Sequence, residues 1–283
     1  MVSRMSIEPP ARAFDKPETF RFGRSRQIFR GTLPDLSGDF LACAGGTETF
    51  GRFVARPWPA ALSARLGMAA ANFGTSGAGP TFFLKDPVLL ETLSRARVCI
   101  LQLTPAWATS NRLFSVRKRR NERLQSVAQM LRLMYPEIDP DRFRFVHRML
   151  AAMHATDPVR FRMVEHEMRE AWLARMHELL DQIETRKVLL WFAQRRPEEE
   201  EPPELGPMLR LPPAYVGRDM VEALRPLADA VVECVPDGGA GMVLRLDRPQ
   251  LSAELVPARL HPGQELHDLA AARVAEAVGA LIG

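Results

Sequence analysis

The chain has 283 residues, of which 46% are hydrophobic and 25% charged, and its formal net charge is +4. These values are ordinary for a globular protein and exclude a disordered chain. No apolar run approaches the ~20 residues that a membrane-spanning helix needs, and the first ten residues lack the apolar segment of a secretion signal. We therefore expect a cytoplasmic protein without a membrane span.

The cysteines and the basic residues further restrict the class of protein to which the chain can belong. Cys43, Cys99 and Cys234 each lie in an apolar, strand-like run, and their odd number predicts buried free thiols rather than a disulfide framework. The dense basic run at residues 117–120 (Arg-Lys-Arg-Arg) is either a solvated start of a helix or a site for phosphate, sulfate or a nucleotide tail. With few aromatic residues between the basic ones, nucleic-acid binding is not expected.

The predicted elements of the first part of the chain alternate between strand and helix. Apolar strands are expected at residues 40–45, 69–73 and 98–104, and helices at residues 58–66 and 86–95 lie between them. The second helix has a clear start, because an aspartate at the N-cap is followed by proline. Strands that alternate with helices predict right-handed βαβ units and a three-layer α/β/α fold around a parallel sheet.

The pattern then changes to helix alone. Apolar residues at helical spacing predict helices at residues 121–135, 141–154 and 157–183, with no convincing strand among them. We therefore predict a large all-helical insertion, about residues 113–186, between the third and fourth strands. Such an insertion covers the site, forms a homodimer contact, or does both.

The remaining segments complete one predicted domain, residues 38–283. Strands and helices alternate again at residues 188–192, 219–227, 230–235 and 266–282, which brings the sheet to about five strands. Residues 1–37 are rich in Pro, Arg and Gly and predict an irregular arm packed on the domain. Residues 195–213 combine prolines with a glutamate run and predict an exposed, mobile loop.

Glycine-rich or polar blocks follow the first three strands. They read Gly45-Gly-Thr-Glu-Thr-Phe-Gly51, Asn72-Phe-Gly-Thr-Ser-Gly77 and Ser110-Asn-Arg112. Their order resembles the SGNH (GDSL-like) hydrolase superfamily, whose first block reads Gly-Asp-Ser-x-Thr-x-Gly and whose second reads Asn-x-Gly-x-x-Gly. More narrowly, the chain resembles an uncharacterised bacterial family with an SGNH-like core, degenerate catalytic blocks and a histidine near the C-terminus.

The resemblance implies a flavodoxin-like strand order and an esterase or O-acyltransferase that acts on an acyl group of a sugar, polysaccharide or small metabolite. It assigns Thr47 the role of the nucleophilic serine, His267 that of the base, and Asn111 that of an oxyanion donor. Gly46 and Gly74 would form the turn and the oxyanion loop. The resemblance implies no cofactor. The histidines at positions 147, 154, 166 and 177 do not have the spacing of a metal-ligand pair, so no metal is expected.

Other polar residues of these blocks are candidates for substrate binding. Glu48 and Thr49 follow the first turn, and Arg112 would clamp an anionic group unless it forms a structural salt bridge. His261 is the second candidate for the base. Thr47 itself is either the nucleophile or a helix cap or ligand-binding hydroxyl.

The chain departs from the superfamily pattern where that pattern has aspartates. Gly46 stands where the first block normally carries Asp, and the positions three before His261 and His267 are Ala258 and Gln264. No triad aspartate is therefore in place. The alternative hypothesis is a non-catalytic SGNH-like binding or assembly protein that has kept the pocket and lost the triad.

Overall fold

A parallel sheet forms the centre of the fold in the computed structural model, which describes residues 17–25, 27–199, 212–236 and 261–283. In chain order the strands are β1 (Thr19–Phe20), β2 (Phe29–Arg30), β3 (Phe40–Gly45), β4 (Ala69–Gly74), β5 (Val98–Gln102), β6 (Phe114–Arg117), β7 (Arg120–Val127), β8 (Arg186–Phe192) and β9 (Ala230–Cys234). The helices are α1 (Thr47–Phe50), α2 (Trp58–Leu66), α3 (Pro80–Leu84), α4 (Pro87–Arg95), α5 (Gln129–Met134), α6 (Val146–Thr156), α7 (Pro158–Gln182), α8 (Arg218–Leu224) and α9 (Gln264–Ile282).

Within the described residues the main sheet has five strands in the order β4-β3-β5-β8-β9, and every neighbouring pair is parallel. This flavodoxin-like order confirms the prediction of a three-layer α/β/α fold. It brings the carboxyl ends of β3, β4 and β5 together at one edge, where an open parallel sheet binds its ligands.

Each face of the sheet carries its own core. Side chains alternate along β3, so that Leu41 and Cys43 pack towards α2 and α9, whereas Phe40, Ala42 and Ala44 pack on the other face. That second core is the larger one and takes in the buried residues of α4, α6, α7 and α8. Cys43, Cys99 and Cys234 are buried free thiols, as predicted.

The segment between β5 and β8 is only partly helical. The sequence predicted a helix over residues 121–135, and this was wrong: β6 and β7 form an antiparallel hairpin, and α5 begins only at Gln129. Residues 117–120 therefore form the hairpin end rather than the start of a helix. The 25-residue helix α7 was predicted correctly, and Asp157 caps it by accepting from the N–H groups of Val159 and Arg160.

The described part of the N-terminal arm packs against the sheet. β1 and β2 pair antiparallel, and the rings of Phe22 and Phe29 lie edge-on to Phe73 of β4 at centroid distances of 5.4 and 5.3 Å. Aromatic edge-to-face pairs of this kind stabilise a fold beyond the apolar area they bury. The arm is thus attached to the strand that carries the second sequence block.

Much of the predicted Pro/Glu loop, residues 195–213, lies outside the described residues. Where the loop is described, the exposure expected for Arg195 was wrong: Arg195 is 3% exposed, and its guanidinium donates to the carbonyls of Pro213 and Val216 at 3.2 and 2.8 Å. Among the described helices, none combines the length and the apolar character needed to cross a membrane.

Candidate functional site

The first two sequence blocks meet at the carboxyl edge of the sheet. Gly45 and Gly74 end their strands side by side in the parallel register, and the chain turns directly into α1 after Gly46. Thr47, the first residue of α1, has its hydroxyl 3.1 Å from that of Ser76 in the loop after β4. Two hydroxyl groups from different blocks are thus adjacent at this edge.

A buried glutamine at the end of β5 organises the turn. The Gln102 side-chain oxygen accepts from the N–H groups of Gly46 and Thr49 at 3.0 and 3.1 Å and from the Thr49 hydroxyl at 2.6 Å. Its side-chain nitrogen donates to Glu48 Oε2 at 2.9 Å. Because Gln102 is 1% exposed, it satisfies polar groups that water cannot reach, and it fixes α1 relative to β5.

The turn after β3 leaves no room for a larger residue. A Cβ on Gly45 would lie 2.3 Å from the Thr49 hydroxyl and 2.5 Å from the Gln102 side-chain oxygen. The glycine therefore permits the close approach of the network just described.

Glu48 joins α1 to the segment that precedes α9. Its carboxylate is 4% exposed, and Oε1 lies 2.9 Å from His261 Nδ1 while Oε2 is held by Gln102. The His261 ring stacks on Phe53 at a centroid distance of 5.0 Å, and the His261 side chain is 20% exposed. A carboxylate on Nδ1 directs the other ring nitrogen, Nε2, away from Glu48.

The electrostatics of the pair favour a charged carboxylate. Burial opposes ionisation of Glu48, but hydrogen bonds and charge interaction with His261, together with the Gln102 hydrogen bond, outweigh it, so the pKa of Glu48 is lowered. An ionised Glu48 accepts a hydrogen bond from the Nδ1–H of His261. In the neutral tautomer with its proton on Nδ1, the Nε2 of His261 carries a lone pair.

His267 occupies a different environment. It is 1% exposed, its Nδ1 accepts from the backbone N–H of Trp58 at 3.0 Å, and its ring lies edge-on to Phe192. Burial lowers the pKa of His267 to about 3, so the ring is neutral near pH 7. Its Nδ1 thus ties α9 to the start of α2.

The third block caps a turn. Asn111 Oδ1 accepts from the N–H groups of Leu113 and Phe114 at 2.9 and 3.0 Å, and its amide nitrogen lies 3.5 Å from the Thr109 carbonyl. The structure thus uses Asn111 to turn the chain into the β6–β7 hairpin.

Arg112 forms the structural salt bridge that was considered for it, and its partner is Glu167 of α7. Its backbone N–H and its Nε donate to the Glu167 carboxylate at 3.0 and 2.8 Å. The Glu167 carboxylate already binds the Arg112 guanidinium, so Arg112 is less suited to bind an anionic group of a ligand.

The remaining predicted residues stand around Gln102 and Thr47. Thr49 is fully buried, and its hydroxyl also accepts from the Trp58 indole N–H at 3.4 Å. The Gly74 N–H donates to Asn72 Oδ1 at 2.9 Å and is therefore occupied. A Cβ on Gly46 would lie 3.1 Å from Glu48 Oε2, so a larger residue there would crowd the carboxylate.

Gln102, Ser76 and Arg30 contribute to the site and were missed in the sequence. Arg30 of β2 donates from its guanidinium to the carbonyl of Gly51 and, at 2.7 and 3.0 Å, to those of Val54 and Ala55. It thereby holds the loop that carries Phe53. A polar residue at the end of the apolar strand β5 was the available signal for Gln102, whereas nothing local marked Arg30.

No cluster of three or more His, Cys, Asp or Glu side chains suited to a metal ion occurs in the described segments. The site therefore consists of hydroxyl groups, one carboxylate–imidazole pair and the amide that holds the carboxylate. Glu48 orients the imidazole of His261, and Thr47 and Ser76 place two hydroxyl groups at the carboxyl edge of the sheet. An oriented imidazole and a hydroxyl are the kinds of group that nucleophilic catalysis uses.

Three solved structures resemble this chain distantly in both sequence and structure. A lipase from a goat rumen metagenome is 13% identical with a TM-score of 0.42, and the match covers 86% of this chain and 98% of the lipase. A carbohydrate esterase family 2 enzyme with a carbohydrate-binding domain, from Corynascus thermopiles (Myceliophthora fergusii), is 12% identical with a TM-score of 0.41, covering 91% and 71%. A gut microbial diltiazem-metabolizing enzyme is 12% identical with a TM-score of 0.40, covering 88% and 48%.

Similarities this distant carry no argument about fold or activity. No curated protein matches the chain in sequence. The sequence model of one family does match, and it spans residues 5–282, almost the full length. The chain therefore belongs to the family described as domain of unknown function (DUF6473).

Proposed function

We propose that the protein is an SGNH-like esterase or O-acyltransferase that acts on an acyl group of a sugar, polysaccharide or small metabolite. The observation that carries the proposal is the buried Glu48 carboxylate, with Oε1 on His261 Nδ1 at 2.9 Å and Oε2 on Gln102 at 2.9 Å. A carboxylate that orients an imidazole beside a hydroxyl is the functional unit of acyl-transfer catalysis. Here Glu48 takes the role for which the sequence offered no aspartate.

In the proposed reaction, the Thr47 hydroxyl attacks the ester carbonyl and its proton passes to His261 Nε2. A bond forms between Thr47 Oγ1 and the acyl carbon, and the ester C–O bond breaks as the alcohol leaves with the proton from His261. Water then releases the acid in an esterase, or a second alcohol accepts the acyl group in a transferase. Glu48 holds the tautomer of His261 and stabilises its charged form throughout.

The choice of His261 over His267 as base follows from their hydrogen bonds. His267 Nδ1 already accepts from Trp58, and burial lowers the pKa of His267 to about 3, far below the value that suits a base near pH 7. His261 has a carboxylate partner, and its ring is partly exposed at the edge where Thr47 lies. Its Nε2 forms no hydrogen bond to the described residues.

The oxyanion of the tetrahedral intermediate needs N–H donors that are not engaged elsewhere. The Gly74 N–H donates to Asn72, and the Asn111 side chain is used in its own turn. Within the described segments, the backbone N–H groups of Thr47 and Gly77 have no hydrogen-bond acceptor. We therefore assign the oxyanion role to these two N–H groups.

The test combines turnover with covalent labelling. Wild-type protein, Thr47→Ala and Ser76→Ala are assayed with p-nitrophenyl acetate and with a fluorophosphonate probe, followed by mass spectrometry of the labelled peptide. We expect label on Thr47 and a loss of turnover of about 10²-fold or more in Thr47→Ala. Label on Ser76 instead would transfer the nucleophile role to the neighbouring hydroxyl, and the absence of both label and turnover would remove the catalytic proposal.

The second candidate function is a non-catalytic binding or assembly protein with the same pocket. The engagement of Gly74 and Asn111 favours it, because both predicted oxyanion donors serve the fold instead. This candidate predicts saturable binding of an acetylated sugar, measured by calorimetry, with no product in the same sample. Product formation by wild-type protein that disappears in Thr47→Ala would exclude it.

A further inference from the structure

The end of the β6–β7 hairpin concentrates the positive charge of the protein. Residues 117–123, hereafter the basic hairpin, contain four arginines, one lysine and one glutamate, and the four residues 117–120 are all exposed. Their balance of five cations to one anion equals the formal net charge of +4 of the whole chain. The rest of the sequence is therefore balanced, and the excess of positive charge lies at this surface.

Few of these cations are neutralised within the structure. Among the described residues the basic hairpin has one ion pair, between Arg123 and Glu122 at 3.7 Å. Arg144 and Arg148 extend the surface: the Arg144 segment runs beside β7, where its carbonyl accepts from the Leu124 N–H at 3.1 Å. Burial and then repulsion from Arg144 and other arginines lower the pKa of Arg123, so these cations are close enough to repel one another.

Two of the cations face each other across the hairpin. Arg117 and Arg120 are register partners at the end of the ladder. Like charges in directly opposite positions of an antiparallel pair are destabilising. A hairpin with this pairing lowers its own stability unless an anion bridges the two guanidinium groups, and a planar guanidinium suits the oxygens of a carboxylate, sulfate or phosphate.

The basic hairpin also lies next to the candidate site. Asn121 Oδ1 accepts from the Gly79 N–H at 2.9 Å, and a Cβ on Gly77 would lie 2.3 Å from Glu122 Oε2. Gly77 has φ +71°, the left-handed conformation that glycine adopts without strain, and it follows Ser76, whose hydroxyl lies 3.1 Å from that of Thr47. The loop that borders the hydroxyl pair thus rests on the basic hairpin.

We propose that the basic hairpin binds an anionic group of the ester substrate, a carboxylate, sulfate or phosphate, while the acyl group lies at Thr47. This proposal rests on the proposed function, which places the acyl group at Thr47. It adds that the rest of the substrate carries a negative charge. In the strands beside it, the exposed side chains of Gln125 and Ser126 and the half-buried Ser115 have no aromatic ring for the base stacking that single-stranded nucleic acids use. The half-buried Phe145 ring already packs against the guanidinium groups of Arg123 and Arg148. An anionic carbohydrate therefore fits better than a nucleic acid.

The first experiment measures binding without catalysis. Wild-type protein is titrated with polygalacturonate, dextran sulfate, polyphosphate, neutral dextran and a single-stranded oligonucleotide, in low and in high salt. We expect salt-sensitive binding to one of the first three polymers, and about tenfold weaker binding of that polymer by Arg117→Ser/Arg120→Ser. The double variant should be as thermally stable as wild type or more stable, because it removes a like-charge pair.

The matched control is Arg65→Ser/Arg186→Ser, which removes two exposed cations of α2 and of the first position of β8, at the opposite edge of the sheet. This control should retain wild-type binding. Equal losses in both double variants would overturn the proposal, as would tightest binding to the oligonucleotide or no binding to any anionic polymer.

The second experiment separates this proposal from the proposed function. It compares KM for an ester with a carboxylate on its alcohol part with KM for its neutral analogue. We expect Arg117→Ser/Arg120→Ser to raise the KM of the carboxylate ester relative to the KM of the neutral analogue about tenfold. An unchanged ratio with active protein overturns it and leaves the esterase hypothesis intact. Salt-sensitive polymer binding by a protein without turnover would contradict the esterase hypothesis and keep the anion site.

Discussion

His261 and His267 are separated by only six positions in the sequence, yet they occupy opposite kinds of environment. The His261 side chain is 20% exposed and lies on the Glu48 carboxylate at the carboxyl edge of the sheet. His267 is 1% exposed and accepts a backbone N–H between α9 and α2. The His261 ring is oriented by a carboxylate and is partly exposed, whereas the His267 ring is buried and accepts a hydrogen bond from a backbone N–H.

The difference shows that the partner of a histidine, rather than its distance from a motif, determines what it can do. Burial lowers the pKa of His267, whereas the Glu48 carboxylate orients the ring of His261 through a hydrogen bond to Nδ1. His267 also supports the site indirectly. It holds the Trp58 N–H, and the Trp58 indole donates to Thr49, which bonds to Gln102.

The largest expected effect is on turnover. His261→Asn should lower kcat for p-nitrophenyl acetate about 10²- to 10⁴-fold, because it removes the proposed proton acceptor. Glu48→Gln should act in the same direction, and the double variant should be little worse than either single one, because the two residues act as a unit. His267→Gln, which keeps an acceptor group near the Trp58 N–H, is the matched control and should retain most turnover. The reverse ranking of the two histidine variants would refute our assignment of the base.

The second effect is on stability and concerns the other histidine. His267→Ala should lower the free energy of unfolding by about 2–4 kcal/mol, because it leaves the Trp58 N–H without an acceptor and opens a cavity beside Phe192. Urea denaturation of His267→Ala, His267→Gln and His261→Asn measures the free energy of unfolding of each variant. A loss in His261→Asn as large as that in His267→Ala would show that the two rings are structurally equivalent after all.

The last effect, which is the smallest when measured over a single pH unit, is a pH dependence of stability. The pKa of His267 is about 3 in the folded protein and 6.5 in its ordinary state, so the unfolded chain binds the extra proton first. The stability that neutral His267 contributes is complete above pH 6.5 and is lost as the pH falls towards 3, at up to about 1.4 kcal/mol per pH unit. His267→Gln should lack this part of the slope in urea denaturation between these pH values. Identical slopes for the two proteins would contradict the buried, neutral state.

Local sequence patterns predicted much of the sheet and its helices. The strands β3, β4, β5 and β8 and the capped helices α4 and α7 carry strong periodicity or cap signals, and the structure confirms them. The β6–β7 hairpin was missed, because its basic and polar residues have neither a clean alternation nor a turn motif. Its formation depends on tertiary contacts such as that of Asn121 with Gly79.

The sequence predicted a candidate site at the strand ends, and this location stays a prediction. The contacts among its side chains were not predictable. Glu48 and His261 are 213 positions apart, and Gln102 lies 54 positions from Glu48. Only the fold can show that these side chains meet, since no local pattern encodes a contact at such separation. In the proposed mechanism Glu48, which is far from the C-terminus in sequence, takes the place of the absent aspartate.

The sequence by itself determined the α/β class and the edge at which polar residues gather, because apolar periodicity and right-handed connections restrict how such a chain can fold. The order of the strands was expected only from the resemblance to the SGNH superfamily. The tertiary structure alone decided which histidine faces a carboxylate and which is buried. It also decided that Asn111 and Arg112 bond within the fold, and that the basic residues lie beside the site. Hydrogen bonds and burial depend on distances in space, and these distances arise only when the layers are packed.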